Sequence, residues 1–134
     1  MATVLEMATR PSKRSTDVLV IDDDRLFVAM ACEAFQKRGL VARGASTADE
    51  GLEALAGGRA PKLILLDLLL PGISSRDFLA MVRSEIAWAH TPVVIVTAAD
   101  PREVPADMHC DGLLHKPVDL GELVSLAYRY CRRS

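Results

Sequence analysis

Three runs of branched aliphatic residues, Val18-Leu-Val-Ile21, Leu63-Ile-Leu-Leu66 and Val93-Val-Ile-Val96, leave this chain few ways to fold. Each is strand-sized and lacks the polar alternation of a half-exposed strand, so each reads as a strand covered on both faces. Helical patterns separate them, and strands alternating with helices imply βα units around a parallel sheet. The pattern predicts strands over 17–22, 40–45, 62–67, 92–97 and 112–115. The three apolar runs belong in the middle of the sheet.

The helices can be placed by their caps and stripes. Residues 25–38 put Leu26, Met30, Ala34 and Phe35 on one face, and Gly39 supplies a left-handed residue to end the helix. Ser46-Thr-Ala-Asp49 opens a second helix that runs to Gly57-Gly58. A third starts at Ser74 or Ser75, with Phe78, Leu79, Val82 and Ile86 predicted to face inward. The last starts at Asp119, with Leu120, Leu123, Val124 and Ala127 as its apolar stripe. Between Ala98 and Asp111, Pro101 and Pro105 interrupt the pattern, so the helix expected there is short or absent.

Composition narrows the setting. A chain of 134 residues fits one domain, and half of it is apolar with few aromatic residues, as suits an aliphatic core. Sixteen basic side chains against eighteen acidic ones argue against direct nucleic-acid binding and for protein partners. Three cysteines match no zinc spacing, no apolar run is long enough to span a membrane, and the expected location is cytoplasmic. Residues 1–16, with Arg10-Pro-Ser-Lys-Arg14, read as a flexible tail before a domain over 17–134.

The chemistry gathers at the carboxyl ends of the strands, where an open parallel sheet holds its ligands. Asp22, Asp23 and Asp24 follow the first strand, Asp67 the third, Thr97 ends the fourth and Lys116 follows the fifth. Asp24 suits a helix cap. The other carboxylates need a different reason, because two of them about 5 Å apart repel by roughly 3 kcal/mol at an effective dielectric near 20. A hard divalent cation supplies one: Mg²⁺ takes oxygen ligands and is commonly held by one or two carboxylates with phosphate oxygens. A metal, a spare carboxylate nucleophile, a lysine and a hydroxyl together meet the needs of phosphoryl transfer.

Val18-Leu-Val-Ile-Asp-Asp23, Leu63-Ile-Leu-Leu-Asp67 with Pro71-Gly72, Val93-Val-Ile-Val-Thr97-Ala98 and Lys116-Pro117 together resemble the receiver domain of bacterial two-component response regulators. The resemblance covers residues 17–131. It implies an α/β fold, a (βα)5 doubly wound five-stranded parallel sheet in the flavodoxin-like order 2-1-3-4-5. It implies a signalling switch rather than an enzyme with its own substrate. Asp67 would be the phosphoacceptor, taking a phosphoryl group from a phosphohistidine on a sensor histidine kinase or histidine phosphotransfer protein. Asp23 would bind Mg²⁺ directly, Asp22 through water, and the Leu69 carbonyl would add a ligand, with Asp67 itself also on the metal. Thr97 and the Ala98 N–H would contact phosphoryl oxygens, and Lys116 would pair with Asp67 before transfer. A cis peptide before Pro117 is typical of the family, and a homodimer is compatible with it.

The chain departs from that pattern in ways that bear on mechanism. Leu113 stands where the family usually has a Tyr or Phe that swings with Thr97 on phosphorylation. The interval from Thr97 to Lys116 is shorter than usual, so the surface that relatives use for output is remodelled. Leu69 and Ala99 are apolar at positions that influence water access, which predicts slow autodephosphorylation. Ser74-Ser75 replaces the usual Asp-Gly, with a capping role only. Few residues follow the last helix, so output is expected through a downstream protein target. The alternative reading is a phosphatase of the haloacid-dehalogenase type using Asp22 and Asp24; it leaves Asp67 unexplained and the chain without room for a cap. His109-Cys-Asp111, His90 and His115 match no catalytic or metal arrangement, and Trp88 reads as packing.

Overall fold

The computed structural model describes residues 15–132, so all but the last two residues of the tail expected over 1–16 lie outside the described residues. Five strands, β1 (Val18–Ile21), β2 (Ala42–Ala45), β3 (Leu63–Leu66), β4 (Val93–Thr97) and β5 (Gly112–His115), form one parallel sheet in the order 2-1-3-4-5. Among the described residues four α-helices accompany it: α1 (Arg25–Lys37), α2 (Ala48–Ala56), α3 (Ser75–Ser84) and α4 (Leu120–Cys131). The predicted fold class and strand order are those observed.

Side-chain alternation along the central strands builds two cores. Val18, Val20, Leu63, Leu65, Val94 and Val96 meet Ala31 and Phe35 of α1 and Leu123, Val124 and Ala127 of α4. Leu19, Ile21, Ile64, Leu66, Val93 and Ile95 meet Ala48 and Leu55 of α2 and Phe78, Leu79 and Val82 of α3. All three aliphatic runs are buried end to end, because helices cover both faces. At about 1.5–3 kcal/mol for each fully buried large aliphatic side chain, this layer dominates the favourable side of folding.

The caps arise from local chemistry. Asp24 accepts from the Phe27 N–H at the start of α1, Thr47 from Glu50 at α2, Ser74 from Asp77 at α3, and Asp119 from Gly121 and Glu122 at α4. Gly39, at φ 83°, turns the chain out of α1 as expected. At Gly44 of β2 the need is different: a Cβ there would stand 2.4 Å from a Val28 methyl, so glycine lets α1 lie close on the sheet edge.

Two packing expectations need correction. Leu26 and Met30 are exposed, and the buried face of α1 runs through Ala31 and Phe35 with Phe27 packed beside them. The helix is thus rotated by about one residue from the predicted stripe. Ile86 is 93% exposed, because α3 stops at Ser84 and Glu85 turns to extended backbone.

The connection from β4 to β5 holds only a 3-10 turn, Pro101–Glu103, in place of a helix, capped by Asp100. Arg83, near the end of α3, ties down the segments on either side of β4. Its guanidinium donates to the Thr91 carbonyl at 2.7 Å, to Ala89 and His109 carbonyls at 3.3 Å, and to the Asp111 carboxylate at 3.1 Å. The same Asp111 oxygen accepts the Val93 N–H at 2.8 Å, and Arg76 pairs with Asp107 farther out. The His109 carbonyl and the Asp111 carboxylate therefore serve in a structural tie. Trp88 is half-buried against the α2 and α3 side of the core.

Truncating Arg83 to Ala should cost about 2 kcal/mol, since it strips four acceptors of a charged donor. Urea unfolding checks this, and Arg83→Lys should recover only part of the loss because an ammonium cannot reach the same fork of acceptors.

Candidate functional site

The strand ends bring the acidic residues together. Backbone bonds from the Asp22 N–H to the Ala45 carbonyl and from the Asp67 N–H to the Ile21 carbonyl, each 3.0 Å, extend the sheet by one residue at β1 and β3. The Lys116 N–H likewise bonds to the Thr97 carbonyl at 2.8 Å beyond β5. Register thus places Asp22, Asp67, Thr97 and Lys116 side by side at one edge.

Carboxylate oxygens of Asp22, Asp23 and Asp67 lie within 4.8 Å of one another, with Asp22 and Asp67 buried and Asp23 exposed. Lys116 Nζ donates to Asp22 Oδ2 at 2.6 Å and sits 3.7 Å from Asp67 Oδ2. The family resemblance implies a pairing of Lys116 with Asp67; the tight partner in the structure is Asp22, and Asp67 is the looser one. Asp22 Oδ1 takes the Asp24 N–H at 2.9 Å, so both of its oxygens are engaged. Asp67 Oδ1 takes the Leu69 N–H at 3.2 Å.

Electrostatics at the pair are lopsided. Burial pushes the Asp22 carboxyl above its ordinary value and the charge of Asp67 adds to this, while hydrogen bonds from Lys116 and Asp24 oppose it without cancelling it. Burial works against the Lys116 charge, but the bond to Asp22 and the charges of Asp22, Asp67 and Asp24 outweigh it and raise its value. A carboxyl raised on folding holds its proton more tightly folded than unfolded. Its contribution to stability therefore falls as pH climbs from the ordinary 3.8 through the raised value. Lys116 contributes fully below its ordinary 10.5 and loses its contribution only as pH rises past that. At neutral pH the ionised Asp22 carboxylate thus costs stability, and the charged Lys116 contributes it.

Thr97 is fully buried, and its Oγ1 accepts the Ala99 N–H at 3.2 Å, which leaves the hydroxyl proton free to be donated. Ala98 is exposed at the strand end. The Lys116-Pro117 bond is cis. Leu113 on β5 is 40% exposed. Leu68, Leu69, Ala99, Pro105 and Met108 line a cavity of about 350 Å³ beside the cluster.

Two residues near the site escape a reading of the sequence. Ser75 is buried and its hydroxyl donates to the Asp67 carbonyl, tying α3 to the end of β3; only Ser74 acts as the cap. Phe27 lies under Lys116, its ring centroid 4.6 Å from Nζ. The spacing of Phe27 from Asp24 is the available signal, since a residue in the first turn stays close to the strand end.

The donor set fits a hard cation: three carboxylates converge, no thiol or imidazole joins them, and one ammonium offsets only part of their charge. A doubly wound sheet with such a cluster at its carboxyl edge defines an α/β domain whose site lies where open parallel sheets bind their ligands, outside the strand ends. The chain matches the response regulator receiver domain over residues 18–128, and it belongs to that family. The chain spans about half the length of the curated relatives it matches. It is 31% identical to the KDP operon transcriptional regulatory protein KdpE of Escherichia coli, over 81% of this chain and 48% of that protein. It is 30% identical to the probable transcriptional regulatory protein TcrX of Mycobacterium tuberculosis, over 93% and 53%. Among solved structures, a response regulator receiver protein from Pseudomonas putida superposes with a TM-score of 0.78 at 27% identity, covering 87% of this chain and 98% of that one. The chemotaxis response regulator CheY4 of Vibrio cholerae has the same fold, with a TM-score of 0.78 at 22% identity over 87% and 99%. Neither the fold nor the relatives support the haloacid-dehalogenase alternative, and Asp24 is occupied as the cap of α1. Among the described residues no helix is long and apolar enough to cross a membrane.

Adding Mg²⁺ at millimolar concentration should raise the thermal midpoint by a few degrees, because a cation bound only by the folded state stabilises it. Asp23→Asn should remove most of that response while raising the metal-free midpoint by about 1–3 °C, the relief of one like charge. Differential scanning calorimetry with and without EDTA measures both.

Proposed function

We propose that this chain is a phosphorylation-controlled signalling switch whose acceptor is Asp67, acting through protein contacts. The observation that carries the reading is the placement of Asp67: a buried carboxylate ending the central strand β3, with two further carboxylates within 4.8 Å and the Lys116 ammonium at 3.7 Å.

An Asp67 oxygen attacks the phosphorus of a phosphohistidine on a sensor histidine kinase or histidine phosphotransfer protein. The P–O bond forms as the P–N bond breaks, and the electron pair returns to the imidazole nitrogen of the donor. A bound Mg²⁺ supplies neutralisation of phosphoryl oxygens. Asp23 and Asp67 would hold it directly, with the Leu69 carbonyl, and Asp22 through water. Lys116 offers its ammonium, Thr97 its free hydroxyl proton and Ala98 its N–H to the same phosphoryl oxygens. Readout through Leu113 rests on aliphatic packing and lacks the hydroxyl of an aromatic switch.

The apolar pair Leu69 and Ala99 supports a long-lived product. Both line the cavity beside the cluster, and neither offers a polar group to orient an attacking water. The relatives named as transcriptional regulators are longer proteins, so no DNA-binding activity is carried over from them.

Incubation with a small phosphodonor such as acetyl phosphate, or with a panel of phosphorylated histidine kinases, tests the reading by intact mass. One phosphoryl group should be added to the wild type, none to Asp67→Asn and none in EDTA. The phosphorylated form should persist for minutes or longer, and decay within seconds would remove the assignment of Leu69 and Ala99. Labelling that survives in Asp67→Asn but fails in Asp22→Asn would transfer the acceptor role to the first strand.

A further inference from the structure

We propose that Phe27 is a positioning residue for Lys116, holding the ammonium on the Asp22 side of the site and away from Asp67. The inference deepens the phosphoacceptor reading of the same site and rests on it.

Lys116 carries its charge on a flexible four-carbon stem, and two buried carboxylates compete for it. Distance alone shows the outcome: 2.6 Å to Asp22 against 3.7 Å to Asp67. Each carboxylate accepts one backbone N–H, Asp22 from Asp24 at 2.9 Å and Asp67 from Leu69 at 3.2 Å, so backbone hydrogen bonding by itself does not account for the preference. The Phe27 ring does. Its face lies 4.6 Å from Nζ, within the range where the ring quadrupole attracts a cation, and the Lys116 side chain is only 18% exposed, so water screens the attraction weakly.

The chain aims the ring with its own cap. Asp24 opens α1 and accepts the Phe27 N–H at 3.1 Å, so the third residue of the helix is held beside the end of β1. Phe35 and Phe78 are fully buried, whereas Phe27 is half-buried at the margin of the core. A leucine would fill that margin and would give Lys116 no π face.

The consequence falls on Asp67. An ammonium kept at Asp22 leaves Asp67 Oδ2 less masked and a better nucleophile, and the contact to the ring is given up when Lys116 moves to the phosphoryl group.

The test uses the full chain with Phe27→Leu and Phe27→Tyr. In metal-free, unphosphorylated protein, the ε-methylene protons of Lys116 should resonate upfield of those of Lys37 and Lys62 because of the ring current. That displacement should vanish in Phe27→Leu and persist in Phe27→Tyr. With saturating Mg²⁺ and acetyl phosphate at fixed pH, labelling of Asp67 should slow roughly three- to fivefold in Phe27→Leu and recover in Phe27→Tyr, the scale of one cation–π contact. A wild-type Lys116 without the upfield displacement, or a Phe27→Leu rate equal to wild type, overturns the proposal. A Phe27→Tyr variant as slow as Phe27→Leu overturns it too. Thermal unfolding of Phe27→Leu establishes that it is folded. If no variant is labelled but the ring-current pattern holds, the phosphoacceptor reading fails and the positioning of Lys116 stands.

Discussion

One ammonium faces three carboxylates at the end of this sheet, and the rest of the architecture serves to keep that imbalance in place. In a flexible chain like charges would simply move apart. Here they cannot, because Asp22 and Asp67 continue strands whose neighbours are locked by parallel hydrogen bonding and buried on both faces. The apolar layers supply the free energy that holds the acidic edge together. A cluster that is unfavourable alone is one that a hard cation would relieve, so the cost in stability and the fitness for a cation have the same origin.

The same rigidity explains how the domain tolerates a missing helix. The segment between β4 and β5 would otherwise be a loop with unsatisfied carbonyls, and Arg83 answers that from the side. One guanidinium gathers carbonyls from both segments flanking β4 and the Asp111 carboxylate, a fork that fits planar acceptors better than any lysine could. The result is a connection held to α3 through side chains, where a helix would have been held through a packed apolar face.

Much of this architecture is legible in the residues. VLVI, LILL and VVIV announce a central parallel sheet without help, and the caps at Asp24, Ser74 and Asp119 are local chemistry that short-range patterns capture. The prolines at 101 and 105 foretell the short connection. What stays hidden depends on differences smaller than a residue spacing. In α1, Leu26 and Met30 form as good a stripe as Phe27, Ala31 and Phe35, and the choice between them is made by packing against the sheet, which the helix's own sequence does not contain. The choice of Lys116 between Asp22 and Asp67 turns on about an ångström. Arg83 has no local pattern to betray it, since its acceptors come from later in the chain.

The two margins of the sheet carry a consequence of another kind. β2 and β5 are its open edges, and each is only four residues long, with Arg43 and Gly44 on one and His115 at the end of the other. An unpaired edge is a template for adding foreign strands, and a short one bearing a charge or a glycine offers too few in-register bonds to hold them. The wholly aliphatic strands, best suited to stacking into fibrils, are all interior, each flanked by neighbours on both sides. A sequence that is half apolar thereby shields its most aggregation-prone segments from other copies of itself.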